Sequence, residues 1–150
     1  MEKTLSRNEN CQAMAGIASV YYADIRIINV FLPVSDGVKC TIHSGHAWSE
    51  IEHDGANANS TPEEGHGYRQ VVECIYHGSQ QEMVRPLAEM REGRYLVRVT
   101  DNNGTDWVYG SPDTPMRMTY ESVDDGEEEG DTSYKLHFEA LCPLPEMRIY

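Results

Sequence analysis

Histidine is concentrated in one third of this chain, where imidazoles could serve as metal ligands. Only two residues separate His43 from His46, so a turn could bring both rings near one ion. A zinc site needs three or four ligands that supporting hydrogen bonds hold rigidly. Ser44-Gly45 is turn-like, and His53, His66 and His77 lie around a stretch without large apolar residues. The pattern therefore favours histidines that face solvent, and no metal or other cofactor is predicted.

Other reactive side chains give no catalytic constellation. Glu50 and Glu52 would share one face of a strand, as an acid and base pair would, but alternation alone places exposed glutamates in this way. Cys74 and His77 are three residues apart, an odd offset that puts them on opposite faces of a strand. The chain has no phosphate-binding glycine loop and no G-x-S-x-G motif. The sequence therefore predicts a protein that is not an enzyme.

The chain is strongly acidic, with a net charge of −13 at pH 7. Such a charge repels phosphate backbones, which argues against specific binding of nucleic acid. An acidic run precedes the last strands and lacks the order of ligands that an EF-hand requires, so a solvated loop is expected. The residues of this predicted acidic loop are Asp124, Asp125, Glu127, Glu128, Glu129 and Asp131.

The length of 150 residues fits one domain. Residues 1–15 are polar and lack periodicity, which predicts a flexible arm before a single β-rich domain at 16–150. No apolar run approaches the ~20 residues of a membrane span, and no signal peptide is evident. The four cysteines are far apart in sequence, which favours free thiols in a reducing cytoplasm, although disulfides remain open.

Alternating apolar residues predict about eight to ten strands. In YKLHFEAL, Tyr134, Leu136, Phe138 and Ala140 should point inward. RYLVRVT and TDWVYG should form a hairpin, because asparagine and glycine favour a tight turn between them. Met83, Leu87 and Met90 are at helical spacing, so one short helix is expected at about 79–92. These elements predict a single mainly β sandwich or barrel. The turn residues of the hairpin are Asp101, Asn102, Asn103 and Gly104.

Residues 54–67 contain no large apolar side chain, and none of them is expected in a core. This stretch is predicted to be a long loop or the tip of an extended hairpin arm. Long loops are often functional, so an arm that orders against a partner is one interpretation and a surface loop is the other. The candidate interface residues of this arm are Asp54, Asn57, Asn59, Thr61, Glu63, Glu64 and His66.

The segment EMREGRYLVRVTDNNGTDWVYGSPDTPMRM, residues 89–118, resembles a pattern in small proteins that prophages of Bacteroidales encode. In that pattern a hairpin with DNNG precedes a tryptophan, a P-x-R segment, an acidic loop and a final strand. The opening MAGIASVYYADI is also similar. Proteins of this size and layout look like the tail-tube and tail-completion proteins of phages. The resemblance covers about half of the chain and carries over the hairpin from Arg94 to Gly110, but no functional residue.

The resemblance implies a virion structural protein of the tail module, a homo-oligomer whose rings form a tube through which DNA passes. Its partners would be other copies of the chain and other phage structural proteins. It would assemble in the host cytoplasm and then reside in the virion. Two alternatives stay open. One is a head–tail connector or another interaction module of a mobile element. The other is a metal-dependent β-barrel enzyme or ligand carrier that uses the His43/His46 region.

Overall fold

The computed structural model of the chain describes residues 16–53, 55–65, 67–123 and 131–149. Within these ranges the fold is mainly β with one short α-helix, which confirms the predicted class. The elements are β1 (Ile17–Asp24), a 3-10 turn (Ile25–Ile27), β2 (Ile28–Val34), β3 (Gly37–Ile42), β4 (Ser49–Ile51), β5 (Gly55–Glu63), β6 (Gly67–Ser79), α1 (Gln80–Arg91), β7 (Tyr95–Asp101), β8 (Asp106–Tyr109), β9 (Arg117–Val123), β10 (Asp131–Cys142) and β11 (Met147–Arg148).

Two antiparallel sheets and one separate hairpin contain these strands. The order is β11-β8-β7-β1-β4 in the five-stranded sheet and β5-β6-β10-β9 in the four-stranded sheet, while β2 and β3 pair only with each other. The described residues hold eleven strands, more than the eight to ten predicted. The very short β4 and β11, with three and two residues, are too brief for an alternating pattern to reveal.

The main core lies between the inner faces of the two sheets. Alternation along β10 buries Tyr134, Leu136, Phe138 and Ala140, as predicted. These side chains share one apolar cluster with residues from both sheets and from α1. Their contacts join the two sheets into a sandwich. The residues that the other strands contribute to the cluster include Val20, Val72, Val97, Val99, Tyr109, Met116 and Met118.

The predicted helix is present as α1, and it covers one end of this core. Leu87 is buried and Met90 packs against the cluster, as their helical spacing indicated. The helix includes Pro86, so it does not begin there. It ends where the Gly93 amide donates a hydrogen bond to the Met90 carbonyl at 3.0 Å. No described helix is long and apolar enough to cross a lipid bilayer.

The hairpin of β2 and β3 forms a third layer on the outer face of the five-stranded sheet. Val38 belongs to a second buried cluster with Leu96 and Val108 of that sheet, and Phe31 and Cys40 pack against it. Val38 also forms an isolated parallel bridge with Ile149. The hairpin is thus attached to the sandwich by one small apolar cluster, by the bridge to Ile149 and by its connections to β1 and β4.

The prediction of a long loop at 54–67 is wrong. Gly55–Glu63 is a regular edge strand, β5, paired with β6 over its whole length. Its residues do reach the core, since the Ala58 side chain is only 2% exposed and Ala56 packs beside it. Small side chains fit there because large residues of β6 and β10 fill the remaining space. The alternative was the tip of an extended hairpin arm, and only the hairpin is present: β5 pairs with β6 within the sheet and is followed by a turn at Glu64 and Gly65. Asp54 and His66 lie outside the described residues.

Candidate interaction surface

Three apolar side chains project from the outer side of the β2–β3 hairpin. Val30, Leu32 and Val34 alternate along β2 and are 40%, 54% and 39% exposed. Phe31, between them, faces the opposite way and packs against the second cluster. We call the three exposed residues the β2 row. β2 has β3 on one side, and no described strand pairs with its other edge.

An exposed apolar row on an unpaired strand edge is a poor arrangement for a protein that stays alone. Single exposed apolar residues are ordinary, but edge strands are usually protected by charged residues, bulges or covering loops. The row places apolar side chains beside a strand edge that no described strand pairs with, although Pro33 in β2 has no N–H to donate. It is therefore suited to an apolar contact with another protein rather than to a full ladder of strand hydrogen bonds.

A cleft of about 300 Å³ borders the hairpin. Phe31 and Pro33 of β2 form one wall, and the segment after β10, including Leu144 and Pro145, forms another. Leu144 is itself 48% exposed, so apolar surface is present at the rim of the cleft as well as on β2. Prolines give the cleft rigid walls, which reduces the entropy lost when the cleft is covered.

The Gln70 side chain holds the walls of this cleft together. It is only 2% exposed, and both ends of its amide are satisfied. Its Nε2 donates to the Leu144 carbonyl at 2.9 Å, and its Oε1 accepts from the Gly110 amide at 2.6 Å. One buried side chain of β6 thereby ties the end of β8 to the segment that leads to β11.

The predicted interface residues lie on a different surface, the outer face of the four-stranded sheet. Asn57, Asn59 and Thr61 alternate along β5 and are exposed, opposite Glu73, Val71 and Arg69 of β6. Glu63 forms an ion pair with Arg69 at 3.1 Å, and Glu64 is exposed in the turn. We call this outer face the polar face. Within the described ranges no arm extends from it, and whether it contacts a partner stays a prediction.

His137, at the centre of the polar face, lies between two carboxylates. Its Nδ1 is 2.7 Å from Oε2 of Glu73, and its Nε2 is 2.8 Å from Oε1 of Glu139. Both nitrogens can donate only in the imidazolium form. Burial lowers the pKa of His137, but the hydrogen bonds to Glu139 and Glu73 outweigh this effect and raise the pKa overall. The hydrogen bond from His137 in turn lowers the pKa of Glu139.

We expect His137→Gln to destabilise the protein more at pH 6 than at pH 8.5. Because folding raises the pKa of His137, its contribution is complete below the unfolded pKa and is lost as the pH rises through the folded value. The loss at pH 6 should be up to about 1 kcal/mol, as for a partly exposed ion pair. Urea unfolding at both pH values measures it. His46→Gln removes an exposed imidazole as a control, and equal losses for His137→Gln at both pH values would contradict the prediction.

The predicted turn of the β7–β8 hairpin is confirmed, and its first residue organises it. Oδ1 of Asp101 accepts from the amides of Asn103 and Thr105, at 2.9 and 3.0 Å, and Oδ2 accepts from the Trp107 indole at 3.1 Å. Gly104 has the positive φ of 84° that the sequence implied. These hydrogen bonds lower the pKa of Asp101 although burial raises it. Asn102, Asn103 and Gly104 are exposed, and the turn serves structure rather than chemistry.

The remaining predicted sites do not converge. His43 and His46 are exposed, and the described residues contain no group of three or more histidines, cysteines or acids placed to hold a metal. Glu50 and Glu52 are exposed as well. Residues 1–15 and the acidic loop residues Asp124, Asp125, Glu127, Glu128 and Glu129 lie outside the described residues, and Asp131 begins β10.

The described cysteines behave as the sequence predicted. Cys40, Cys74 and Cys142 are free thiols, and the last two are buried. Burial raises the pKa of Cys74 to about 12, so this thiol stays protonated at neutral pH. Cys74 and His77 point to opposite faces of β6, since Cys74 is buried and His77 is exposed. Cys11 lies outside the described residues.

The β2 row was not predicted from the sequence, although the sequence contains a pattern that indicates it. INVFLPV is apolar on both faces of the strand, whereas a strand covered on one side alternates with polar residues. A run that is apolar on both faces indicates a strand with two faces to cover, and the described residues cover only one face of β2. Because the pattern also fits a buried central strand, the run alone could not show which face remains exposed.

Comparisons of this chain with protein-family models, with curated proteins and with solved structures find no match.

Proposed function

We propose that this chain is a structural protein without enzymatic activity that self-associates through the β2 row. The observation that carries the proposal is the presence of Val30, Leu32 and Val34, exposed together, on a strand edge that no described strand covers. In the proposed role the chain is a subunit of rings or of a tube in the tail module of a phage or prophage. It assembles in the host cytoplasm and then becomes part of the virion.

The size of the row predicts that one such contact is weak. Its side chains are about half exposed, so covering each contributes roughly 1 kcal/mol, or roughly 6 kcal/mol for the rows of two copies. Losing translational and rotational freedom costs about 4–15 kcal/mol. Association through this surface is therefore concentration-dependent, and a stable ring needs several contacts that close on one another.

The acidic net charge of the chain weakens this association at low ionic strength. Each copy carries −13 at pH 7, so copies repel one another at low ionic strength. Salt screens this repulsion and leaves the apolar contact intact, so self-association should strengthen as salt is added. The same acidic charge would keep DNA from adhering to the wall of a tube. The resemblance to prophage proteins supports the tail module as the place where such a subunit acts.

We expect Leu32→Lys to reduce self-association at least tenfold. Leu32 is the most exposed residue of the row, and a lysine there places a charge where an apolar contact would form. Sedimentation velocity at several protein concentrations, in 0.1 and 0.5 M salt, measures the dissociation constant. Asn59→Lys adds the same charge to the polar face and is the matched control, expected to associate like the wild type.

Two results would contradict the proposal. In the first, Leu32→Lys associates as strongly as the wild type. In the second, the wild type stays monomeric at every concentration in 0.5 M salt. The second result would indicate that the β2 row binds a different protein. Such binding is what a head–tail connector or another interaction module of a mobile element requires.

A further inference from the structure

Arg98 lies between two aromatic rings on the outer face of the five-stranded sheet. Its guanidinium carbon is 4.3 Å from the centre of the Tyr21 ring and 5.3 Å from the centre of the Trp48 ring. β1 and β7 bring Tyr21 and Arg98 into register as direct neighbours, and Trp48 comes from the loop before β4. Stacking on two rings orients the flexible Arg98 side chain before any ligand binds.

This guanidinium has no anionic partner among the described residues. Arg26 and Arg69 each form ion pairs, with Asp24 and with Glu63 and Glu139, but Arg98 forms none within the described part of the chain. Its Nε is buried and lacks a hydrogen-bond partner there. A buried N–H donor without an acceptor costs free energy, and this cost falls on the Nε–H of Arg98.

The groups around Arg98 do not neutralise it. Glu50 is next to Tyr21 in register but is exposed and forms no ion pair with Arg98. Asp106, on the neighbouring strand β8, accepts a hydrogen bond from Thr100 Oγ1. Burial raises the pKa of the Cys40 thiol to about 11 although Arg98 lowers it, so this thiol is neutral at pH 7. The described surroundings thus provide aromatic walls and no counter-ion.

We propose that Tyr21, Trp48 and Arg98 form a binding site for a carboxylate group. The planar fork of a guanidinium matches the two oxygens of a carboxylate. The same three residue types predominate where interfaces have their strongest contacts. The carboxylate can belong to a second copy or to a small free acid. A second copy is the source favoured by a chain with 25 acidic and 12 basic residues, and this part rests on the proposed self-association.

The site itself is tested without reference to self-association. Sodium acetate is titrated into the monomeric Leu32→Lys variant, and the Nε–Hε signals of the arginines are followed by NMR against sodium chloride at equal ionic strength. We expect the Arg98 signal to shift and saturate with acetate only. Arg26, which Asp24 already pairs, is the internal control. An Arg98 signal that does not move, or that moves equally with chloride, would overturn the proposal.

A second measurement identifies the source of the carboxylate. Arg98→Gln removes the charge and the fork while keeping a polar side chain, and its dissociation constant for self-association is compared with that of the wild type. A five- to tenfold weaker association, with acetate binding shown above, assigns the site to a carboxylate of a second copy. Unchanged association together with acetate binding assigns it to a free small carboxylate. If the wild type does not self-associate, only this second measurement is lost, and the acetate titration still tests the site.

Discussion

Gly67→Ala should destabilise the protein by about 3–5 kcal/mol, the largest effect we expect from any single methyl group. Gly67 begins β6 with φ of 90°, a conformation that disfavours a side chain. A Cβ at this position would lie 2.3 Å from the Cys142 carbonyl oxygen. Because the obstructing atom belongs to the backbone of β10, no change of rotamer can relieve the contact. Either β6 or the end of β10 must move.

Gly104→Ala is the matched control for this prediction. Gly104 has a similar φ of 84°, but no atom lies within 4 Å of the Cβ position. Only the conformational cost applies there, about 1–2 kcal/mol. Urea unfolding of both variants gives the free energies of unfolding directly. If the two losses were equal, steric contact with Cys142 would have no part in the requirement for glycine at position 67.

Gln70→Met should cost about 2–4 kcal/mol and loosen the end of the chain. Methionine has a similar length but leaves the buried Gly110 amide without the acceptor that lies 2.6 Å away in the wild type. The Leu144 carbonyl also loses its donor. Hydrogen exchange should therefore accelerate at Gly110 and in β11 more than in β10.

Val71→Met provides the comparison, because it places the same side chain one residue away on the outer face of the sheet. Substitutions there should change the free energy of unfolding by about 0.5 kcal/mol or less. Uniform acceleration of exchange across the sandwich in Gln70→Met would show that Gln70 supports the whole fold rather than the walls of the cleft.

Large alternating side chains made part of this fold predictable. β10 alternates between apolar and polar residues, and its buried face is the one expected. The β7–β8 hairpin and its turn are also as expected, but Leu96 and Val108 are buried on its second face, under the β2–β3 hairpin, which alternation does not reveal. In β5 the same alternation is present but is carried by Ala56, Ala58 and Ser60, whose small size gives no apolar signal. Their location becomes clear only when the bulk of the neighbouring strands is known.

The side-chain groups around His137 and Arg98 each combine residues from different strands. The sequence does not show which residues of two strands lie opposite each other. Glu73 is 64 residues from His137, and the two meet because β6 and β10 pair in one register. Tyr21 and Arg98 likewise become neighbours only through the register of β1 and β7. A shift of either pair by one residue would separate these side chains onto opposite faces. Local patterns indicate strands, but register decides which side chains meet.

The way in which the β2–β3 hairpin is attached allows another segment to replace it without a change in the sandwich. Tyr22 of β1 and Ser49 of β4 are direct cross-strand partners, so the segment 25–48, which follows β1, leaves the sandwich and returns close to where it left. A short connection can span that gap, and a different insert can occupy it if it covers Leu96 and Val108. Evolution can therefore exchange the surface that selects a neighbour while the sandwich keeps its own strands and core.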